Sequence, residues 1–219
     1  MRTIEELIDT DPAWPIVQDW LRTATNGAEV LPASESDRSD ALVATQVTTR
    51  SPMGAIIYET GGILVDFGWI RILGSGHPRL PRTLPGWNAG RTTHGDEKSP
   101  PFLLVADDVI GGFFAIDGGG LGEARGNVYY FAPDALAWED LGCGYSGFIR
   151  WCLAGDIARF YADYRWSTWE EDVAKLPGDQ GYMIYPPLAA RGPSIDERHR
   201  GSVPLAELYD LFVGKKEIE

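Results

Sequence analysis

Short apolar runs, interrupted by glycine, aspartate and proline, fill the middle of the chain and are typical of β-strands joined by tight turns. Thr60-Gly61-Gly62 has the composition of a hairpin turn, and Gly68 predicts a bend or bulge between two further runs. We therefore expect a mainly antiparallel sheet of about six strands. The runs that predict strands are 55–58, 63–67, 69–73, 102–106, 112–116, 128–131 and 137–139.

Apolar residues recur at helical spacing on both sides of this region. A capping-box pattern at residues 3–6 predicts a first helix, and Asp11-Pro12 predicts the start of a second. Residues 34–42 predict a third. After the sheet, Thr168 predicts a helix cap, and three amphipathic stripes predict further helices. The stripes are Tyr145, Phe148, Ile149 and Cys152; Ile157, Phe160, Tyr161 and Tyr164; and Leu205, Leu208, Tyr209 and Phe212.

The order of these elements predicts one α+β domain over residues 1–219, with helices packed on an antiparallel sheet. Residues 74–101 form a long loop rich in glycine, proline and polar residues. Because long loops without a purpose are uncommon, we expect this one to lie across the sheet or to present a surface. The predicted parts are a helical N-terminal part (1–45), the sheet with its loop (53–140) and a helical C-terminal part (145–219), which includes a short strand at 183–185 and an irregular segment at 189–202.

The charge of the chain restricts its partners. A formal net charge of −13 and a pI of about 4.6 disfavour phosphate backbones and anionic lipid, so we expect neither nucleic acid nor a membrane as partner. A basic protein would be attracted. Cys143 and Cys152 match no metal-binding spacing, and the N-terminus lacks an apolar signal segment. We therefore predict a cytoplasmic protein with free thiols.

Motifs for catalysis and cofactor binding are weak in this sequence. Residues 142–147 satisfy the spacing G-x-G-x-x-G, but the runs before them predict a meander and not the βαβ unit that dinucleotide binding requires. His77, His94 and His199 lie in three separate predicted loops. We predict no cofactor, no metal site and no catalytic residue.

Carboxylates at the predicted strand ends are the strongest candidates for chemistry. They are Asp107, Asp108, Asp117, Glu139 and Asp140. Paired carboxylates beside aromatic side chains can cleave or bind a sugar, whereas aspartate at strand ends usually closes turns by hydrogen bonds to the backbone. An acidic rim would also attract a basic protein and accelerate its association. The sequence leaves these alternatives open.

Five blocks of the sequence resemble the bacterial family called domain of unknown function 2625. They are residues 46–55, 66–76, 106–118, 128–134 and 138–141, and the resemblance extends over almost the whole chain. It implies no activity. The layout is also similar to that of the SUKH superfamily of toxin-immunity and cell-wall regulator proteins, since a glycine-rich strand-turn-strand step precedes a helix in both. That similarity implies an α+β binding module that can neutralise a toxin by occlusion.

Our leading hypothesis is a cytoplasmic protein-binding module, in one form an immunity-type protein that neutralises a basic toxin. In it, the carboxylates steer the partner and Trp69 anchors it. The alternative is a hydrolase or carbohydrate-binding module, which requires two carboxyl groups within about 10 Å of each other in a concave pocket. The predicted partner-binding residues are Trp69, Arg71, Asp107, Asp108, Asp117, Glu139 and Asp140.

Overall fold

The computed structural model describes residues 1–93 and 100–214, and within them nine strands form two antiparallel sheets. The strands are β1 (Ala28–Pro32), β2 (Thr60–Val65), β3 (Ile70–Leu73), β4 (Phe102–Asp108), β5 (Phe113–Asp117), β6 (Asn127–Ala132), β7 (Ala137–Gly144), β8 (Gln180–Tyr185) and β9 (His199–Pro204). The larger sheet is a meander in which β1 to β7 lie side by side in chain order. The smaller sheet pairs β8 with β9.

Helices lie before the meander, after it and between some of its strands, which confirms the α+β class. They are α1 (Ile4–Leu7), α2 (Trp14–Arg22), α3 (Glu35–Thr45), α4 (Pro52–Glu59), α5 (Leu84–Asn88), α6 (Tyr145–Ala154), α7 (Ile157–Phe160), α8 (Trp169–Lys175) and α9 (Leu205–Phe212). Helices α3 and α4 lie between β1 and β2, and α5 lies between β3 and β4. The central strands β2 to β6 are buried along most of their length, so the core lies around them. Within the described residues, no helix is long and apolar enough to cross a bilayer.

The strands predicted at 102–106, 112–116, 128–131, 137–139 and 183–185 are confirmed, with β7 and β8 longer than predicted. Strand β9 falls partly within the segment expected to be irregular, and β1 was not predicted. Its pattern explains the omission, because only Leu31 of β1 is buried and the strand shows no alternation of apolar and polar residues. The SUKH likeness stays a prediction.

The strand predicted at 55–58 is wrong, because these residues belong to α4. Ser51 caps that helix by accepting a hydrogen bond from the Gly54 amide, and Pro52 occupies its first turn. A short apolar run fits a buried helix as well as a strand, so its length and composition could not decide between the two.

The hairpin turn predicted at Thr60-Gly61-Gly62 is also wrong, because the three residues begin β2. The glycines are required by close backbone contacts: a Cβ at Gly61 would lie 2.5 Å from the carbonyl oxygen of Gly76. The second helix likewise begins at Trp14 and not at Asp11-Pro12. Gly68 does mark a bend, since it ends a 3-10 turn at Asp66–Gly68 with φ of 90°.

The described part of the long loop packs against the sheet, in agreement with the expectation that this loop lies across it. It contains α5, whose last residue, Asn88, is buried. The Asn88 side chain accepts a hydrogen bond from the Leu104 amide and donates one to the Leu104 carbonyl, both at 2.8 Å. These two bonds fasten the loop to β4. The prediction for His94 lies outside the described residues.

Candidate functional site

Two arginines share one buried carboxylate on one face of the larger sheet. Arg71 on β3 stands opposite Asp107 on β4, and its Nε donates to Asp107 Oδ1 at 2.7 Å. Arg82, from the long loop, donates from both terminal nitrogens to the same carboxylate. The three side chains are 3%, 0% and 9% exposed for Arg71, Asp107 and Arg82. Removal of one partner would leave a buried charge without compensation, so this group fixes the register of β3 and β4.

Asp108 lies beside this group and is completely buried. One carboxylate oxygen accepts hydrogen bonds from the amides of Ile110 and Gly112, and the other accepts them from the hydroxyls of Tyr130 and Tyr161, at 2.7–3.0 Å. Burial raises the pKa of Asp108 above its ordinary value, and the four hydrogen bonds oppose that rise. Burial also raises the pKa of both tyrosines. The carboxyl group therefore joins β4, β6 and the segment after α7.

The surface role predicted for Asp107, Asp108 and Asp117 needs exposed carboxylates, and the three residues are 0%, 0% and 2% exposed. Asp117 accepts hydrogen bonds from three consecutive amides, at residues 119, 120 and 121. Its side chain therefore closes a turn, as aspartate at a strand end usually does. The correction is that these aspartates hold the fold together. Glu139 and Asp140 are exposed on the edge strand β7, so their role in partner binding stays a prediction.

Trp69 is also buried, with no exposed surface, and this corrects its predicted role as a surface anchor. Its ring packs edge-on against Trp169 with a centroid distance of 5.3 Å. The guanidinium carbon of Arg165 lies 5.1 Å from the Trp69 ring and 4.2 Å from the Trp169 ring, and the same side chain forms a partly buried ion pair with Asp66. The aromatic cluster therefore holds Arg165, and Arg165 holds the turn at Asp66.

That turn presents an exposed aromatic side chain. Asp66 and Phe67 both have left-handed backbone, with φ of 53° and 60°, and Phe67 is 58% exposed. Each such residue costs about 1–3 kcal/mol, and strain of this kind clusters at binding and catalytic sites. The ring of Phe67 touches the edge of Trp169, with a centroid distance of 5.8 Å. The protein thus accepts strain at a position that exposes an apolar ring to solvent.

A cleft of about 440 Å³ lies beside this ring, and we call it the Phe67 cleft. Arg71 is its most deeply buried charged residue, whereas Arg79, Lys175 and Asp179 are exposed at its rim. Its walls come from the 3-10 turn, the loop after β3 and the chain from α8 to β8. The lining residues are Leu64, Phe67, Gly68, Arg71, Pro78, Arg79, Pro81, Val109 and 173–179.

The chemistry of this lining is that of recognition. Arginine stays protonated at any physiological pH, so Arg71 and Arg79 offer hydrogen-bond donors and no general base. Among the described lining residues, the sole carboxylate is Asp179, at the exposed rim. In residues 1–93 and 100–214, no three histidine, cysteine or acidic side chains are grouped to hold a metal ion.

Of the seven predicted site residues, Arg71 is the one that lines the Phe67 cleft. Sequence reasoning did not single out Phe67 or Arg165. Residues 66–68 read as the end of a strand and a turn, and no sequence pattern marks left-handed backbone at two successive residues other than glycine. Arg165 is 99 positions from Asp66, so only the folded chain reveals their pairing.

Comparison with known proteins adds a family and two close relatives. The family model described as "Protein of unknown function DUF2625" matches residues 4–208. A "Putative uncharacterized protein YbfG" of Escherichia coli strain K12 is 47% identical over 218 residues, which cover 99% of this chain and 98% of the relative. An "Uncharacterized protein" of Haemophilus influenzae is 41% identical over 218 residues, covering 99% of this chain and 96% of that one.

Proposed function

This chain belongs to the DUF2625 family, and we propose that it is a binding protein that holds a segment of another protein in the Phe67 cleft. The observation that carries the proposal is the exposed ring of Phe67 on a strained, left-handed turn that a partly buried ion pair holds in place. Aromatic residues are enriched in protein interfaces, where a few of them supply much of the binding energy. Preorganisation of the anchor reduces the entropy lost on binding.

The acidic surface favours a partner whose overall charge is positive, because complementary charge accelerates encounter. An immunity-type protein that covers the active surface of a basic toxin is one form of this proposal. In that form Glu139 and Asp140, which are exposed on β7, contribute to the steering charge. Steering of this kind weakens as salt is added.

The hydrolase or carbohydrate-binding alternative receives less support from the geometry. Asp107 and Asp108 are adjacent, but their carboxylate oxygens accept hydrogen bonds inside the protein, and neither residue lines the Phe67 cleft. A glycosidase needs two carboxyl groups that face the same bound sugar. Binding without a reaction is therefore the function that the described residues support best.

Site-specific photo-cross-linking tests the proposal. p-Benzoylphenylalanine, which keeps the shape of an aromatic side chain, replaces Phe67 in the full chain, expressed in the cells that naturally produce it. After irradiation, mass spectrometry identifies cross-linked peptides. We expect one protein to be recovered repeatedly, attached through one contiguous segment, and we expect its yield to fall when Arg165→Leu releases the turn.

Leu136 supplies the matched control, because it is also a partly exposed apolar residue with left-handed backbone (φ 51°, 38% exposed) and lies outside the cleft. The same photoreactive residue at position 136 should not capture the partner. Equal capture from positions 67 and 136, or no capture from position 67, would contradict the proposal.

A further inference from the structure

We propose that the Phe67 cleft binds a carboxylate, carried by the segment that it holds; this inference rests on the proposed function. The first observation is the make-up of the lining. The chain as a whole has 32 acidic residues against 19 lysines and arginines, whereas the cleft lining has three cations, Arg71, Arg79 and Lys175, against one carboxylate, Asp179. Asp107, Glu29 and Glu171 pair with these cations from outside the lining, so the cleft is distinguished by the cationic hydrogen-bond donors that it offers to an anionic group and not by its net charge.

The second observation is the set of donors that Arg71 leaves unused. Arg71 and Arg82 share the carboxylate of Asp107, and the buried carboxyl group of Asp108 also attracts Arg71. An anion bound above Arg71 would accept hydrogen bonds from donors that these groups leave unused. Within the described residues, Arg71 uses three of its five N–H donors, on Asp107, on the Gln180 carbonyl and on the Asp108 carbonyl.

The third observation concerns the two cations at the rim. Arg79 is held in place by a two-pronged ion pair with Glu29. Lys175 lies 3.8 Å from Glu171, and the two side chains are 75% and 80% exposed. Such a pair contributes little free energy, so Lys175 can turn toward a ligand at small cost. The rim thus supplies one fixed and one adaptable positive charge above Arg71.

The lining favours a carboxylate joined to an apolar group. Phe67, Leu64, Val109 and Val173 give the cleft an apolar wall, and a guanidinium matches the planar, bidentate geometry of a carboxylate. A phosphate dianion would meet stronger repulsion from the net charge of −13 than a monovalent carboxylate would. We therefore expect a glutamate, an aspartate or a chain-terminal carboxylate next to an apolar residue of the partner.

Titration of the full chain with 3-phenylpropionate, followed by amide NMR spectra, tests this inference without the partner. The neutral isostere 3-phenylpropionamide and inorganic phosphate are titrated in parallel at equal ionic strength. We expect the acid to shift signals of residues that line the cleft and to bind about tenfold more tightly than the amide. Its binding should weaken as sodium chloride is added. Phosphate should bind less tightly than the acid.

Arg79→Gln and Lys175→Gln should each weaken binding of the acid about threefold. Arg22→Gln, which removes an exposed arginine paired with Asp19 on α2, should leave it unchanged. Equal affinity for acid and amide, preference for phosphate, or shifts confined to residues away from the cleft would overturn the inference. If cross-linking from position 67 succeeds while the acid shows no preference, the proposed function stands and this inference falls; the reverse pattern removes the protein partner and keeps an anion site.

Discussion

At the scale of single residues, Phe67 and Asp108 are both in unfavourable situations, Phe67 through its backbone conformation and Asp108 through the burial of its carboxyl group. Phe67 adopts left-handed backbone and remains 58% exposed, so neither its backbone nor its burial stabilises the protein. Asp108 is buried with four hydrogen bonds, and its position contributes to the core. The first residue has the properties of a recognition element and the second those of a structural one.

Two substitutions at Phe67 separate backbone strain from the ring. Phe67→Gly and Phe67→Ala both remove the contact with Trp169, but only alanine keeps a Cβ at a φ of 60°. We expect the glycine variant to be about 1 kcal/mol more stable than the alanine variant, because glycine adopts left-handed backbone without steric cost. Urea unfolding measures the difference. Equal stabilities would show that the turn is not strained.

Gly112 tests the packing around Asp108. A Cβ at this position would lie 2.2 Å from Asp108 Oδ2 and 2.4 Å from the Tyr130 hydroxyl. We expect Gly112→Ala to lower the free energy of unfolding by about 3 kcal/mol, because it overpacks the core and displaces buried hydrogen bonds. Gly201→Ala is the control: a Cβ there has no neighbour within 4 Å, and its effect should stay within about 0.5 kcal/mol. Similar losses for both variants would contradict the described packing.

At the scale of elements, helix α8 forms one wall of the cleft and is fixed by its first turn. Asp172 Oδ2 accepts hydrogen bonds from the Trp166 indole at 2.6 Å and from the Thr168 hydroxyl at 2.8 Å. These bonds join the start of α8 to the aromatic cluster that also contains Trp69. The position of Lys175 at the other end of α8 therefore depends on Asp172.

Stability of this junction should depend on pH. The hydrogen bond from Trp166, and then that from Thr168, lowers the pKa of Asp172 below its usual 3.8. The unfolded chain therefore binds this proton more readily, so the stabilisation is present above about pH 4 and is lost as the pH falls through the folded-state value.

We expect Asp172→Asn to be less stable than the natural protein at pH 7, with a difference that shrinks below pH 4. Urea unfolding at several pH values measures it. Glu170→Gln, in the same turn, removes a charge without affecting the indole contact and should show a smaller dependence. A difference that does not change with pH would contradict the role of the Asp172 carboxylate.

Elements bounded by clear turn residues could be predicted from the sequence. The strands β4 to β7 follow one another with glycine, aspartate or proline between them, and their order confirms the meander. Helix α4 could not be distinguished from a strand, because residues 55–58 form one short apolar run, of which 55–57 are buried without interruption. Strand β9 is mostly exposed, so it has no hydrophobic pattern to read.

At the scale of the whole molecule, acidic residues outnumber basic ones, whereas basic residues outnumber acidic ones in the lining of the cleft. Arg71, Arg79 and Lys175 are spread over more than 100 positions, and only the fold places them around one cleft. Of the seven predicted site residues, Arg71 is the one that lines the cleft. The sequence alone gives no reason to reject the others, because composition shows which residues are charged but not which are buried. Asp107, Asp108 and Asp117 lie at the ends of strands, as the sequence predicts, and in the structure that same position buries them.

The most direct measurement is calorimetric titration of the partner, identified by cross-linking, into the natural protein, Phe67→Gly and Leu136→Gly. Both variants place glycine at a left-handed position, so they relieve backbone strain equally and differ in whether the cleft loses its ring. We predict that Phe67→Gly lowers the affinity about thirtyfold, as loss of an interface anchor does, whereas Leu136→Gly binds like the natural protein. Equal affinities for all three would show that the cleft beside Phe67 is not where this protein recognises its partner.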